Sequence, residues 1–251
     1  MTGYSYSTKD CISSSEILQK HPALRWRNCG SNGMFIGKAV FLTIFVNDAD
    51  SHWSKKAIKK FKNVVNAAGL FFMRNGGQER GLDIPCQVSI LSPRNIPSIN
   101  RDNFSNYKDR IVYPLLSSDL RSLRLDVKRE TQADEVVVIF AFNKKGKSFA
   151  QCKGAELPSS NRTFSSAEEA VCIFAKADHV FYTLLHEVTH LFGGIDYYEA
   201  PFKDVALSLF PESIMLCKEP EKPSIDSLTR YLIGWDLRPD EKALAFLRRT
   251  I

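Results

Sequence analysis

Two uninterrupted apolar runs, "AVFLTIFV" at 39–46 and "DEVVVIFAF" at 134–142, constrain the fold more than any other feature of the chain. Both are rich in β-branched and aromatic residues and short enough to be strands, and the second reads as a buried one. Between and after them the periodicity switches. "HWSKKAIKKFKNVVNAAGLFFM" (52–73) brings Trp53, Ile58, Phe61, Val64, Val65 and Ala68 to one side at helical spacing. "IPCQVSIL" (84–91) reads as a second strand, "PSINRDNFSN" (97–106) as a polar connection, and "RIVYPLLSSDLRSLRLDV" (110–127) as helical in its later part. A turn "NKKGK" leads to a short exposed strand "SFAQC", the polar stretch 159–167 reads as a loop, and "AVCIFA" (170–175) as one more strand. Strands alternating with helices predict a mixed sheet with helices packed on it.

The stretch from Asp178 has Val180, Leu184, Val188 and Leu191 or Phe192 at helical spacing, with Asp178 as the expected N-cap. Inside it stands "TLLHEVTHLFGGID" (183–196). Residues four apart lie one turn apart on one helix face, so His186 and His190 can share a metal ion. Glu187 points to the side of that pair, where a carboxylate can hold a water and take its proton. Peptide hydrolysis needs this division of labour. The plain alternative is a helix whose histidines cap or cover the core. Two further residues count against it. Gly193 falls where the helix must stop and reverse, a turn that calls for positive φ, and Asp196 follows where the returning chain can present a carboxylate to the same ion.

"HEVTHLFGGID" resembles the metzincin clan of zinc metallopeptidases, whose long motif is HExxHxxGxx followed by His or Asp. The match falls on His186, Glu187, His190, Gly193 and Asp196, with the aspartate similar to the snapalysin-type variant. The resemblance implies one catalytic Zn²⁺ held by His186, His190 and Asp196, with Glu187 as general base of an endopeptidase. It implies a methionine in a tight turn beneath the metal, and "ESIML" supplies Met215 at the matching place. It also implies that one of Tyr197 and Tyr198 donates a hydrogen bond to the oxyanion, packing of the loop being the alternative. The expected fold is α+β and zincin-like: a twisted mixed sheet with an antiparallel edge strand, packed on two long helices, with a small irregular C-terminal subdomain ending in a helix. That gives a single catalytic domain over 1–251, divided into an N-terminal extension (1–34), a subdomain ending with the active-site helix (35–194) and a C-terminal subdomain (195–251). The edge strand would come from "NKKGKSFAQC" (143–152) and hold an extended polypeptide substrate by main-chain hydrogen bonds. The segment 92–130 looks like an insertion relative to the smallest members of the clan.

Two rival readings keep the zinc. In one, the fold is a catalytically silent zinc-binding or partner-binding module, against which Glu187 argues, since a structural site has no use for a base beside its ligands. In the other the third ligand is Glu199, Asp204 or Glu212, which the glycine spacing disfavours. His179 lies two turns from His186, and His21 and His52 have no partners that suggest a role. Cys29 invites comparison with the cysteine switch of metzincin zymogens, but its neighbours "RWRNCGSNG" do not match that motif; Cys217, two residues after Met215, reads as a buried thiol or disulfide rather than a ligand.

Charge and composition exclude little else. Lys+Arg 34 against Asp+Glu 28 gives +6, and the densest group, Lys55, Lys56, Lys59, Lys60 and Lys62, alternates with apolar residues as a solvated helix face does, so no nucleic-acid partner is expected. No segment reaches the ~18 uninterrupted apolar residues of a membrane span, and the first twenty residues carry no apolar leader core. The expectation is a cytoplasmic protein if the chain is full length and a secreted one if a signal has been removed. The six cysteines form no CxxC pair and leave the redox compartment open, and the oligomeric state is not legible.

Overall fold

The computed structural model describes residues 21, 23, 24, 27, 34–84, 87–92, 96–116, 119–151, 170–198, 201–216 and 220–250. Within these the fold is α+β, a mixed five-stranded sheet with seven helices. In chain order the elements are β1 (Ala39–Val46), α1 (Lys55–Phe72), β2 (Gln87–Leu91), α2 (Phe104–Leu116), α3 (Leu120–Thr131), β3 (Glu135–Phe142), β4 (Phe149–Gln151), β5 (Ala170–Phe174), α4 (Val180–His190), α5 (Phe202–Leu209), α6 (Ser227–Leu232) and α7 (Glu241–Arg249).

The sheet order is β2-β1-β3-β5-β4; the first four strands are parallel, and β4 runs antiparallel to β5 along the edge. Strands β1 and β3 are central and pair in register from Ala39 opposite Glu135 to Val46 opposite Phe142. Their unbroken apolar runs follow from cover on both faces. Phe41, Phe45, Val137, Ile139, Val171 and Ile173 pack into one core with α1 and α4, while Val40, Leu42, Ile44, Val138, Phe140 and Cys172 pack into another with α2 and α3. The segment 92–130 thus has a structural task. Its described residues form the helical layer that buries the second face of the sheet, where the sequence suggested a polar connection over 97–106, a helix only in the later part of 110–127, and an insertion overall.

Helix α1 is capped by the Ser54 side chain, which accepts from the Ala57 N–H, and buries Phe61, Val65, Ala68 and Phe72 along one stripe. Lys55, Lys56, Lys59 and Lys60 lie on its exposed side, as the spacing implied. Four expectations fail. Strand β4 is not exposed: Phe149 and Gln151 are buried against the helical layer. The N-cap of α4 is His179, in the left-handed region with φ 57° and without a side-chain cap, rather than Asp178. The chain after Gly194 does not lapse into irregularity but forms α5. The final helix is two: Asp226 caps α6, Gly234 at φ 87° turns the chain, and α7 follows.

The core on the α1 and α4 side runs on without a break into the C-terminal third through Ile214, Met215, Trp235 and Phe246. Phe35 joins the two ends. Its ring stacks on Phe192 with centroids 4.0 Å apart, and its carbonyl accepts the Trp235 indole N–H at 2.5 Å. Phe192 immediately precedes Gly193, so this aromatic stack underlies the turn after the two histidines.

Candidate metal centre

Helix α4 ends because of its glycines. Gly193 sits at φ 104°, a conformation that side chains rarely adopt, and its N–H bonds the His190 carbonyl at 3.1 Å. Gly194 passes so close to Thr189 that a Cβ would lie 2.5 Å from its methyl group. The chain therefore folds back tightly, and Asp196 returns to the histidines.

Three atoms meet there. Asp196 Oδ1 lies 3.0 Å from His186 Nε2 and 3.2 Å from His190 Nε2, and the two nitrogens are 3.1 Å apart. The other ring nitrogens are committed. His186 Nδ1 is 2.8 Å from the Ile214 carbonyl and His190 Nδ1 is 2.8 Å from the Gly194 carbonyl. A carbonyl only accepts, so each Nδ1 carries a proton, and each Nε2, when unprotonated, has its lone pair directed at the common point. Asp196 Oδ1, although close to both rings, is buried and accepts no hydrogen bond of acceptable angle. Its other oxygen accepts the Tyr198 hydroxyl at 2.9 Å, which fixes the direction of the carboxylate.

The electrostatics follow from this crowding. Burial alone would lower the His190 imidazole, but the Asp196 carboxylate, with help from Glu187, outweighs it and holds His190 up at about 9. Burial alone would raise Asp196; the charge on His190 and the contacts with both imidazoles hold it well below the usual carboxylate range instead. Glu187 shares the helix turn and is nearly buried, with an oxygen within 4.8 Å of the ligand nitrogens of both histidines. After burial, its charge is the next cause lifting the Cys172 thiol.

The cluster could hold a metal ion, and its dimensions can be set against those of a tetrahedral zinc site. Bonds of 2.0–2.2 Å to three corners of a tetrahedron need donor atoms about 3.3–3.6 Å apart, a few tenths beyond the triangle seen here. Imidazoles that have given up their Nε2 protons and a carboxylate are ordinary zinc ligands, and each of these side chains has the outer partner such ligands have. The alternative oxygen donors lie elsewhere: Asp204 is on the exposed side of α5, Glu212 is exposed and accepts the Lys222 N–H, and Glu199 falls outside the described residues. His179 and His52 are exposed, and His21 is buried against Thr250, its Nε2 3.0 Å from the Thr250 hydroxyl. Cys29 and Cys217 also fall outside the described residues.

Met215 is fully buried, directly after the residue whose carbonyl orients His186. The paired tyrosines separate. Tyr197 is buried, its hydroxyl bonded to Asp226 and Thr229 at 3.0 Å, so it packs the loop, whereas Tyr198 lies at the site with its ring 6.2 Å from that of His186. Sequence reasoning missed the two orienting carbonyls, which any residue type would supply, and the part of Tyr198 in aiming Asp196. No protein-family model matches the chain, and no curated protein matches it.

Proposed function

We propose that the chain is a zinc-dependent endopeptidase of metzincin type, with His186, His190 and Asp196 as the ligand set and Glu187 as general base. One observation carries the reading. Two imidazoles, each with Nδ1 tied to a carbonyl, aim their remaining nitrogens at the same buried oxygen, which has no hydrogen bond of its own. The element order supports it as well: a strand and long helix, further strands, an antiparallel edge strand and then the histidine helix, with Met215 in a turn beside His186.

Bound zinc supplies Lewis acidity, making a water molecule more acidic and drawing the negative charge that develops on a carbonyl oxygen. Glu187 takes the proton from the attacking water as its oxygen joins the carbonyl carbon, then passes that proton to the amine nitrogen as the C–N bond breaks. Tyr198 keeps Asp196 aimed at the ligand point throughout. Strand β4 pairs with β5 alone among the described strands, which leaves its outer edge to add an extended peptide by main-chain hydrogen bonds. Its far side is braced: Phe149 packs edge-on against Phe104, and the Gln151 amide donates to Ser105 Oγ at 3.0 Å.

The test is digestion of an unfolded protein, with new N-termini read by mass spectrometry. Zinc-loaded wild type should cleave, a chelator should abolish cleavage, and Glu187→Ala should cut it about 10²–10⁴-fold while keeping its metal. Equal cleavage by wild type and Glu187→Ala would sink the proposal.

A further inference from the structure

Asp226 caps α6, accepting the Thr229 N–H at 2.9 Å. A cap needs no more than this: Asp240 at the start of α7 does the same for the Ala243 N–H at 2.8 Å. Asp226 does more. Its Oδ1 also accepts the Tyr197 hydroxyl at 3.0 Å, and its Oδ2 accepts the Ser213 hydroxyl at 2.5 Å and the Thr229 hydroxyl at 2.7 Å. Both carboxylate oxygens are therefore engaged twice, in a nearly dry setting where charge-assisted hydrogen bonds are strong.

The identity of the donors matters. Tyr197 follows Asp196, and Ser213 precedes Ile214, whose carbonyl holds His186 Nδ1. The two segments are also joined directly, Tyr197 N–H to the Met215 carbonyl at 3.1 Å and Met215 N–H to Ser213 Oγ at 3.1 Å. Because the Ser213 proton points at Asp226, a Ser213 lone pair is left to receive the Met215 N–H. One buried carboxylate thus sets hydroxyl directions in both loops that complete the donor triangle.

We propose that Asp226 is a positioning residue for the metal centre, clamping the segment that carries Asp196 to the turn that orients His186. The proposal rests on the metal-binding reading above. An asparagine at 226 keeps the shape and the cap but brings an NH₂ group to one of the hydroxyls, which must turn round and release its present acceptor. The site then loosens without the fold being lost.

The experiment measures zinc affinity of the full chain by competition with a chromophoric chelator, together with the visible spectrum of the Co²⁺-loaded protein. Asp226→Asn and Ser213→Ala should each weaken zinc about 10–100-fold, the range for losing an outer-shell partner, and should shift the Co²⁺ bands. The double variant should be little worse than Asp226→Asn, since both break one link. Asp240→Asn, the same change at the cap of α7, should leave affinity and spectrum unchanged. Folded Asp226→Asn and Ser213→Ala proteins that bind zinc like wild type would reduce Asp226 to a helix cap and overturn the proposal. Should Asp226→Asn fail to fold, Ser213→Ala and Tyr197→Phe are titrated in the same way: weakened zinc in either supports the clamp, and wild-type affinity in both overturns it. Wild-type zinc binding that survives joint His186→Ala and His190→Ala substitution would overturn the metal reading itself.

Discussion

Replacing Asp196 by asparagine removes one charge from the cluster and almost none of its volume. In metal-free protein the charge matters through His190, which it holds at about 9 against an ordinary 6.5. At about 1.4 kcal/mol per pH unit, that difference is on the order of 3 kcal/mol of folding stability. A raised folded-state pKa stabilises only while the proton is kept, so the contribution is fully present below pH 6.5 and is lost as the pH rises through about 9. Asp196→Asn should therefore cost the chelated protein roughly 2–3 kcal/mol near pH 6 and much less near pH 10. Zinc has the opposite dependence, because it needs the Nε2 lone pair that the proton occupies, and its affinity should climb with pH. At a thousand times its dissociation constant zinc adds about 4 kcal/mol to the stability of wild type, and Asp196→Asn should gain far less. Urea unfolding followed by circular dichroism, with chelator and with zinc at several pH values, reads all of this. A flat pH profile of the difference in chelator would refute the charge assignment, and an equal gain from zinc in both proteins would remove Asp196 from the ligand set.

Glu187→Ala should lower hydrolysis about 10²–10⁴-fold, as loss of a general base does, with zinc content unchanged by atomic absorption; loss of the metal would make Glu187 a ligand instead. Gly193→Ala forces a side chain into φ 104° and should cost on the order of 1–3 kcal/mol in urea unfolding, with weaker zinc binding because Asp196 is misdelivered; wild-type affinity would show that the turn does not set the ligand. Thr43→Val removes a buried hydroxyl that has no hydrogen-bond partner and should stabilise the protein by about 1 kcal/mol, read as a rise in melting temperature without change in zinc affinity. A drop in stability would mean that the hydroxyl is satisfied after all.

Strands β1, β3 and β5 were legible because a strand covered on both faces must be apolar at nearly every position, and that pattern survives any detail of tertiary contact. The beginning of α2 was not, since "PSINRDNFSN" is polar apart from Ile99 and Phe104, and what holds it is burial of these two in the core that also contains Phe140 and Phe149. Asp178 obeys the capping preference, yet the chain enters α4 through a left-handed His179, a choice made by the turn after β5 rather than by local propensity. Spacing alone brought His186, Glu187 and His190 together, and Gly193 announced the turn. The acceptors that decide the imidazole tautomers are main-chain carbonyls of Ile214 and Gly194, and no side chain encodes them. The hub at Asp226 has no local signature beyond an aspartate before a helix, because its other partners come from segments 13 and 29 residues away.

The carbonyl that holds His186 lies 28 residues downstream, Trp235 reaches back 200 residues to Phe35, and His21 meets Thr250 across 229. These separations give the chain a timetable. When the ribosome has made the first 200 residues, both histidines and Asp196 exist, but the turn at 213–215 and the indole that braces Phe35 do not. The sheet and its helices can form by then, because their contacts close within the part already made. Completion of the cluster waits for Ile214 and Trp235, so a growing chain holds the proposed donors well before it holds what orients them.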